Sequence, residues 1–283
     1  MNIAKALVTA AAPDQHTLPL QRLVDQQGVE RTALQLIIAE VAAAGVDEIG
    51  VVIRPGDEAA YRAAAGEDVQ RLTFLPQAEP RGYGHAVFCG RDFVGDEPFL
   101  HLVGDHLYLS RTERPCAAQL IDAAKAHGCA VSAVQATREN KLPYFGAIGG
   151  RAVPQQTGLY EVTTVVEKPT PTVAEQQLII GGQRAGYYLC FFGMHVLTPA
   201  VMAALGELLE AESERRAQLS DALAVLAARE RYLALEVDGA RYNIGEKYGI
   251  LTAQLATALS GVDRDQILTE LVELLAGAAG DRA

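Results

Sequence analysis

Along the first half of the chain, short apolar blocks alternate with stretches of helical spacing. Ala6 to Ala11 is a brief apolar run closed by Pro13, the pattern of a strand buried on both faces. Leu34, Ile37, Ile38, Val41 and Ala42 recur at helical spacing, and Gly45 is placed to end that helix in the left-handed conformation. Ile49 to Ile53 is a second buried strand, closed by Arg54-Pro55-Gly56, and Asp57 is placed to cap a short helix running to Ala65. Leu72 to Leu75 and Pro98 to Val103 follow as strands, with a helix over Gly84 to Gly90 between them. Ala117, Leu120, Ile121 and Ala124 share a helical face ahead of Gly128, and Ala130 to Ala136 is again a strand. Strands and helices alternating at this spacing predict right-handed βαβ units. They predict a Rossmann-like α/β fold, a mixed but mainly parallel sheet with helices on both faces.

The pattern then changes. Phe145 to Gly149, Tyr160 to Glu167 and Tyr187 to Leu197 read as strands suited to antiparallel additions on one edge of the sheet. Thr198 is placed to cap a helix that begins with Pro199. A helix over about Gln218 to Arg229, a strand over Tyr232 to Val237 and a turn at Asp238-Gly239 come next. The remainder is helical: Ile250, Leu251, Gln254, Leu255 and Ala258 on one stretch, a break at Gly261, then a helix capped by Asp263. That last helix is expected to turn Ile267, Leu268, Leu271 and Leu275 inward. With no internal repeat or low-complexity linker, the expected organisation is one α/β domain over residues 1–245. A helical appendage over 246–283 is expected to pack on it or to sit at the interface of a homodimer.

Composition narrows the classes. The chain has 283 residues, of which 49% are hydrophobic, enough for one large core. Lys plus Arg number 24 against 35 Asp plus Glu, a net charge of −11, which argues against binding nucleic acid or an anionic membrane. A small anionic ligand, held by backbone amides and one or two cations, is compatible with that balance. Cys89, Cys116, Cys129 and Cys190 stand at no metal-ligand spacing and read as small hydrophobes of a reducing compartment. The stretch from Met1 to Val8 is too short for a signal peptide, and no apolar run approaches the ~20 residues that cross a bilayer. The expectation is a soluble, cytoplasmic protein.

In open parallel sheets, ligands bind beyond the carboxyl ends of the strands. Four such places carry candidate chemistry. The loop from Ala11 to Pro19 holds Ala12, Pro13, Asp14, Gln15 and His16, without a glycine to bring backbone amides to a phosphate. It reads as a plain loop at least as well as a phosphate cradle. Gly82-Tyr83-Gly84-His85 offers close backbone approach ahead of a helix, and Gln77 is suited to a nucleobase edge; a simple turn into a helix has the same pattern. Asp105, after Gly104 at a strand end, suits Mg²⁺ or a turn. Glu167-Lys168-Pro169 suits a sugar hydroxyl pair beside a phosphate, or an exposed ion pair.

Occurring together and in this order, these motifs resemble the bacterial UTP–glucose-1-phosphate uridylyltransferases and the wider sugar-1-phosphate nucleotidyltransferase family. The resemblance runs from Lys5 to about Gly261 and is strongest from Gln77 to Asp105. Phe145-Gly146, Glu167-Lys168-Pro169, Gly193 and Gln218-Leu219-Ser220-Asp221-Ala222 match further family motifs. It implies the nucleotidyltransferase fold and attack of a sugar 1-phosphate oxygen on the α-phosphorus of UTP, with pyrophosphate leaving and Mg²⁺ as cofactor. It implies that Gln77, Gly82 and Gly84 meet the nucleotide together with Ala11 and Ala12. Gly146, Glu167 and Gly193 would meet the sugar, and Lys168 and Lys247 the phosphates. Asp105 and Asn243 would fall at the metal.

The departures lie in the first loop. Ala12 and Asp14 stand where the family has two glycines, Gln15 where it has threonine and His16 where it has arginine. Its downstream proline–lysine pair is missing, leaving Arg22 as the nearby cation. Asn243 stands where a second metal-binding carboxylate belongs. His16 and Arg22 are therefore the candidates to neutralise the triphosphate, with Arg54 and Arg81 on adjacent loops. Three readings remain: an active uridylyltransferase with a remodelled loop, a nucleotide-sugar-binding regulatory protein that has lost the chemistry, and a transferase that uses a nucleotide-sugar as donor.

Overall fold

The chain runs through thirteen strands and ten helices among the described residues. They are β1 (Lys5–Thr9), β2 (Arg22–Val24), β3 (Glu30–Thr32), α1 (Ala33–Ala43), β4 (Glu48–Ile53), α2 (Glu58–Ala65) and β5 (Leu72–Pro76). Next come α3 (Tyr83–Phe88), α4 (Arg91–Val94), β6 (Phe99–Val103), β7 (His106–Ser110), α5 (Cys116–His127) and β8 (Ala130–Arg138). Then follow β9 (Ala147–Ala152), β10 (Leu159–Val166), α6 (Pro171–Gln177), β11 (Tyr187–Leu197) and α7 (Pro199–Ala211). The last are α8 (Leu219–Arg229), β12 (Tyr232–Glu236), β13 (Gly239–Asn243), α9 (Gly249–Leu259) and α10 (Arg264–Gly280). This computed structural model describes residues 1–211 and 216–280, so the final three residues of the expected 246–283 appendage lie outside the described residues.

Nine strands form one sheet in the order β5-β4-β1-β6-β11-β8-β12-β10-β9. β10 and β11 run against the other seven. Alternation along β1 shows how the sheet divides the core. Ala6 and Val8 join one layer with Leu34, Ile37 and Leu120, whereas Leu7 joins the other with Val87, Leu205 and Leu223. α1 and α5 thus cover one face, and α3, α7 and α8 the other. α1 starts at a capping box: the Gln35 amide donates to Thr32 Oγ1 at 3.1 Å, and the Thr32 amide donates to Gln35 Oε1 at 2.9 Å.

Four expectations need correction. β11 is not an edge strand; it lies between β6 and β8, because its eleven residues are almost wholly apolar and need cover on both faces. Asp57 occupies the N-cap position of α2, yet its carboxylate makes no capping bond and instead meets His16 Nδ1 at 2.7 Å. The hydroxyl of Thr198, ahead of α7, donates to Glu230 Oε1 at 3.2 Å. Leu275 does not turn inward: it is 67% exposed, while Ile267, Leu268 and Leu271 are half-buried. The β2–β3 hairpin and the two-stranded antiparallel ribbon of β7 with β13 were not legible as paired strands. α9 packs on β13 and β2, with Gln254 making both backbone bonds of Val24, and α10 packs on α9.

Candidate active site

A cavity of about 630 Å³ opens over the carboxyl ends of β1, β6 and β10. Strand ends bring its walls together. Ala11 and Ala12 follow β1, Gln77 follows β5, Gly104-Asp105 follow β6, and Glu167-Lys168 follow β10.

At one end, Gly82 has a φ of +110°, a left-handed conformation that favours glycine, and a Cβ there would come within 2.5 Å of the Ala217 carbonyl. The Gly84 amide donates to that same carbonyl at 2.9 Å, so the turn is locked onto the segment entering α8. Buried Gln77 spends its amide hydrogens on the Gly82 carbonyl, at 3.3 Å, and on His85 Nδ1, at 3.0 Å. Among the described residues nothing donates to its Oε1, which is left to accept from a ligand.

At the centre, Asp105 Oδ1 lies 2.8 Å from His106 Nδ1. Burial pushes the Asp105 carboxyl up, and the imidazole beside it more than offsets this, holding it below the usual carboxylate range. The Asp105 carbonyl accepts from the Ile244 amide at 2.9 Å, which brings Asn243 into the same cavity. Asn243 Oδ1 accepts from the Gly245 amide at 2.8 Å.

At the far end, Glu167 Oε2 accepts from Ser220 Oγ at 2.8 Å. A Cβ on Gly146 would approach that oxygen to 2.9 Å and Phe191 to 2.8 Å, so only glycine leaves the carboxylate reachable. Lys168 adopts a φ of +46°, held by its amide donating to the Phe145 carbonyl at 3.2 Å. For a side chain with a Cβ this costs roughly 1–2 kcal/mol, strain of the kind that collects at ligand sites. Gly193, with a φ of +82°, sits where β11 shifts register between Phe191 and His195. Its carbonyl accepts from Tyr108 Oη at 2.8 Å.

Four candidates do not line this cavity. Gly84 is buried in the first turn of α3, its amide already spent on the Ala217 carbonyl. His16 is tied to Asp57, and its carbonyl accepts from Tyr61 Oη at 2.6 Å. Arg22 is exposed on β2 and paired with Glu30. Lys247 is exposed, its Nζ 5.3 Å from the Tyr248 ring centroid. Nor do the two adjacent-loop arginines reach in: Arg54 is exposed, and Arg81 donates to the Leu209 carbonyl at 3.0 Å. The first loop offers few amides either, because the Gln15 and His16 N–H groups both donate to the Ala12 carbonyl, at 3.1 and 2.9 Å.

Among the described residues, the Lys and Arg side chains that line the cavity are Lys168 and Arg216. Nothing in the local sequence pattern marks Arg216; folding brings it beside Gly82. Ser220 lies within the Gln218-Leu219-Ser220-Asp221-Ala222 motif and His195 is a lone polar residue in an apolar strand, so neither carries a local signal for this cavity. A further cation stands behind the wall. Arg241, on β13, is buried 4.0 Å from the Phe145 ring centroid, and among the described residues no carboxylate pairs with it. Among the described residues its Nε and Nη1 have no hydrogen-bond partner. Burial pulls it down to about 10, so it stays charged at neutral pH.

Comparison with known proteins follows the same outline. The family model for nucleotidyl transferase matches residues 21–258. The UTP–glucose-1-phosphate uridylyltransferase YngB of Bacillus subtilis is 28% identical over 300 residues, spanning 96% of both chains. A UTP–glucose-1-phosphate uridylyltransferase of Streptococcus pneumoniae is 27% identical over 303 residues, again with 96% of each chain covered. A UDP-glucose pyrophosphorylase solved with UDP-glucose superposes with a TM-score of 0.73 at 22% identity, covering 90% of this chain and 98% of the other.

Proposed function

The chain belongs to the nucleotidyl transferase family, and from that premise we propose that it forms a UDP-sugar, UDP-glucose by likeness to its relatives, from UTP and a sugar 1-phosphate with release of pyrophosphate. The carrying observation is that one cavity holds Gln77 and Gly82 at one end, Asp105 and Asn243 in the middle, and Gly146, Glu167 and Lys168 at the other. That order matches a base, a phosphate chain and a sugar laid end to end.

In this reading Gln77 Oε1 accepts from the uracil imide, and Gly82 admits the ring edge. Glu167, steadied by Ser220, accepts from sugar hydroxyls. Lys168 and Arg216 draw the two phosphates together for in-line attack of the sugar phosphate oxygen. Catalysis of this kind is mostly positioning and charge neutralisation. Asp14, Asp105 and Glu167 also line the cavity, so two cations are few for a triphosphate. Mg²⁺ answers that shortfall: it commonly takes one or two carboxylates with substrate phosphates and water, and Asp105 with the Asn243 amide oxygen are hard donors that fit. When bound it would neutralise phosphate charge. The single negative charge of the pair predicts weak Mg²⁺ affinity without nucleotide. We further place the protein in the cytoplasm, where its four unpaired cysteines remain reduced, as a homodimer through its C-terminal helices.

The pinned His16 and Arg22 favour one other reading, a pocket that binds the nucleotide-sugar without turnover. Each lost electrostatic contact of this type costs ~10²–10³ in rate. Pyrophosphate release from UTP, Mg²⁺ and glucose 1-phosphate, measured beside calorimetry with UDP-glucose, separates the two. Release is expected. Binding without release would leave the second reading, and absence of any uridine nucleotide binding would remove both.

A further inference from the structure

A polar row crosses the sheet beneath the cavity. Register places His101 beside Leu7, His195 beside His101, and Ser132 beside His195. These groups are buried in the layer that α3, α7 and α8 cover, where every donor and acceptor needs a partner.

The partners fix the protons. His101 Nδ1 lies 2.9 Å from the Leu7 carbonyl, which can only accept, so Nδ1 carries the hydrogen. His101 Nε2 therefore accepts from Tyr83 Oη at 2.7 Å. For His195, Nδ1 lies 2.6 Å from Ser132 Oγ, and Ser132 Oγ also contacts the Tyr232 hydroxyl. Tyr232 is buried in the core, and among the described residues its hydroxyl has no other hydrogen-bond partner. A phenol so enclosed gives its hydrogen to the one acceptor it has. Ser132 receives that bond and passes its own hydrogen to His195 Nδ1. The hydrogen of His195 is left on Nε2.

His195 lines the cavity. Its ring stands 5.0 Å from that of Phe191, and Phe191 flanks Gly146 next to the Glu167 carboxylate. Burial, with His101 beside it, pushes the His195 imidazole well below its ordinary value, so it stays neutral at physiological pH. A sugar hydroxyl both donates and accepts. Glu167 can only accept, and the cations at the cavity are committed to phosphate in the functional reading above.

We infer that His195 is the neutral N–H donor of the sugar subsite, its Nε2 hydrogen set by the Tyr232–Ser132 relay and given to a hydroxyl of the glycosyl group. This rests on the proposed function, in which Glu167 faces that group. His195 acts here as a specificity residue and takes no part in bond making.

Two measurements test it. A long-range ¹H–¹⁵N spectrum of the histidine-labelled protein is expected to show His195 as the Nε2–H tautomer, and Tyr232→Phe is expected to shift it toward a mixture. An Nδ1–H tautomer in the parent protein would overturn the relay. Calorimetry then compares UDP-glucose with UTP. His195→Leu is expected to weaken UDP-glucose about tenfold, the size of one lost hydrogen bond, and to leave UTP unchanged. His195→Gln, which keeps an N–H near the position of Nε2, is expected to recover most of that loss and guards against a merely unstable leucine variant. Equal UDP-glucose affinity in parent and His195→Leu would overturn this inference alone. A parent protein that binds no uridine nucleotide would overturn the functional reading and this inference with it, whatever the tautomer.

Discussion

Glu167 depends on a neighbour fifty-three residues away in sequence, since the Ser220 hydroxyl donates to its Oε2 at 2.8 Å. A carboxylate that receives this bond is held in one rotamer, and in the proposed function its second oxygen serves the sugar. Ser220→Ala is expected to raise KM for the sugar phosphate about tenfold, the scale of one hydrogen bond, with kcat and KM for UTP little changed. Ser220→Thr, which keeps the hydroxyl, is expected to behave as the parent. Steady-state kinetics with each substrate varied in turn checks this, and a matching rise in KM for UTP would mean general loosening of the site. The same pair shows what the sequence could convey at this scale. Glu167 and Asp105 were legible as cavity residues because strand ends open on the cleft side of such sheets. The Ser220 bond was not, since it joins α8 to the end of β10 through tertiary packing. That His16 does not line the cavity has a local cause: Asp57, at the N-cap of α2, is an anion within reach, and it ties up the imidazole.

Among the elements, strands declared themselves by apolar blocks, and their pairing did not. β11 looks like an edge strand beside its turn-rich neighbours in sequence, yet its length and continuous burial place it mid-sheet. Caps show a similar divide. α1 carries its own capping box, whereas α5 begins after Pro115 without a side-chain cap of its own. Its orphan amides are met from α1: the Ala117 amide donates to Glu40 Oε1 at 2.7 Å. Burial raises Glu40 from 4.5 to about 6, and the Ala117 and Cys116 amides oppose that rise. A carboxyl raised on folding favours the native state in its protonated form. Its contribution is whole below pH 4.5 and is lost as pH climbs through about 6, a difference of about 2 kcal/mol. Glu40→Gln keeps an oxygen for both amides and cannot ionise. It is expected to be more stable than the parent by about 1–2 kcal/mol at pH 7.5 and equal to it near pH 4.5. Urea unfolding at both values checks the difference, and a Gln variant less stable at pH 7.5 would show that the amides need a full charge.

For the molecule as a whole, the apolar pattern at the C-terminus has more surface than the fold covers. α10 packs on α9 with Ile267, Leu268 and Leu271 half-buried, while Val272, Leu274 and Leu275 stay 65%, 70% and 67% exposed. The large apolar residues span about half of the helix circumference, opposite Asp265, Gln266, Thr269, Glu270 and Glu273, and α9 covers that broad face only in part. A second copy supplies an identical apolar helix, and a net charge of −11 on each chain disfavours contact anywhere but at such a patch. The protein is therefore expected to sediment as a dimer at micromolar concentration, with a melting temperature that falls on dilution. Leu274→Glu with Leu275→Glu is expected to give a monomer whose melting no longer depends on concentration. Because α10 does not line the cavity, that monomer should bind UDP-glucose as the parent does. A parent that sediments as a monomer would mean that the exposed leucines are simply tolerated. A dimer that survives both substitutions would move the interface elsewhere, to the exposed Val24 and Val29 of the β2–β3 hairpin that packs on α9.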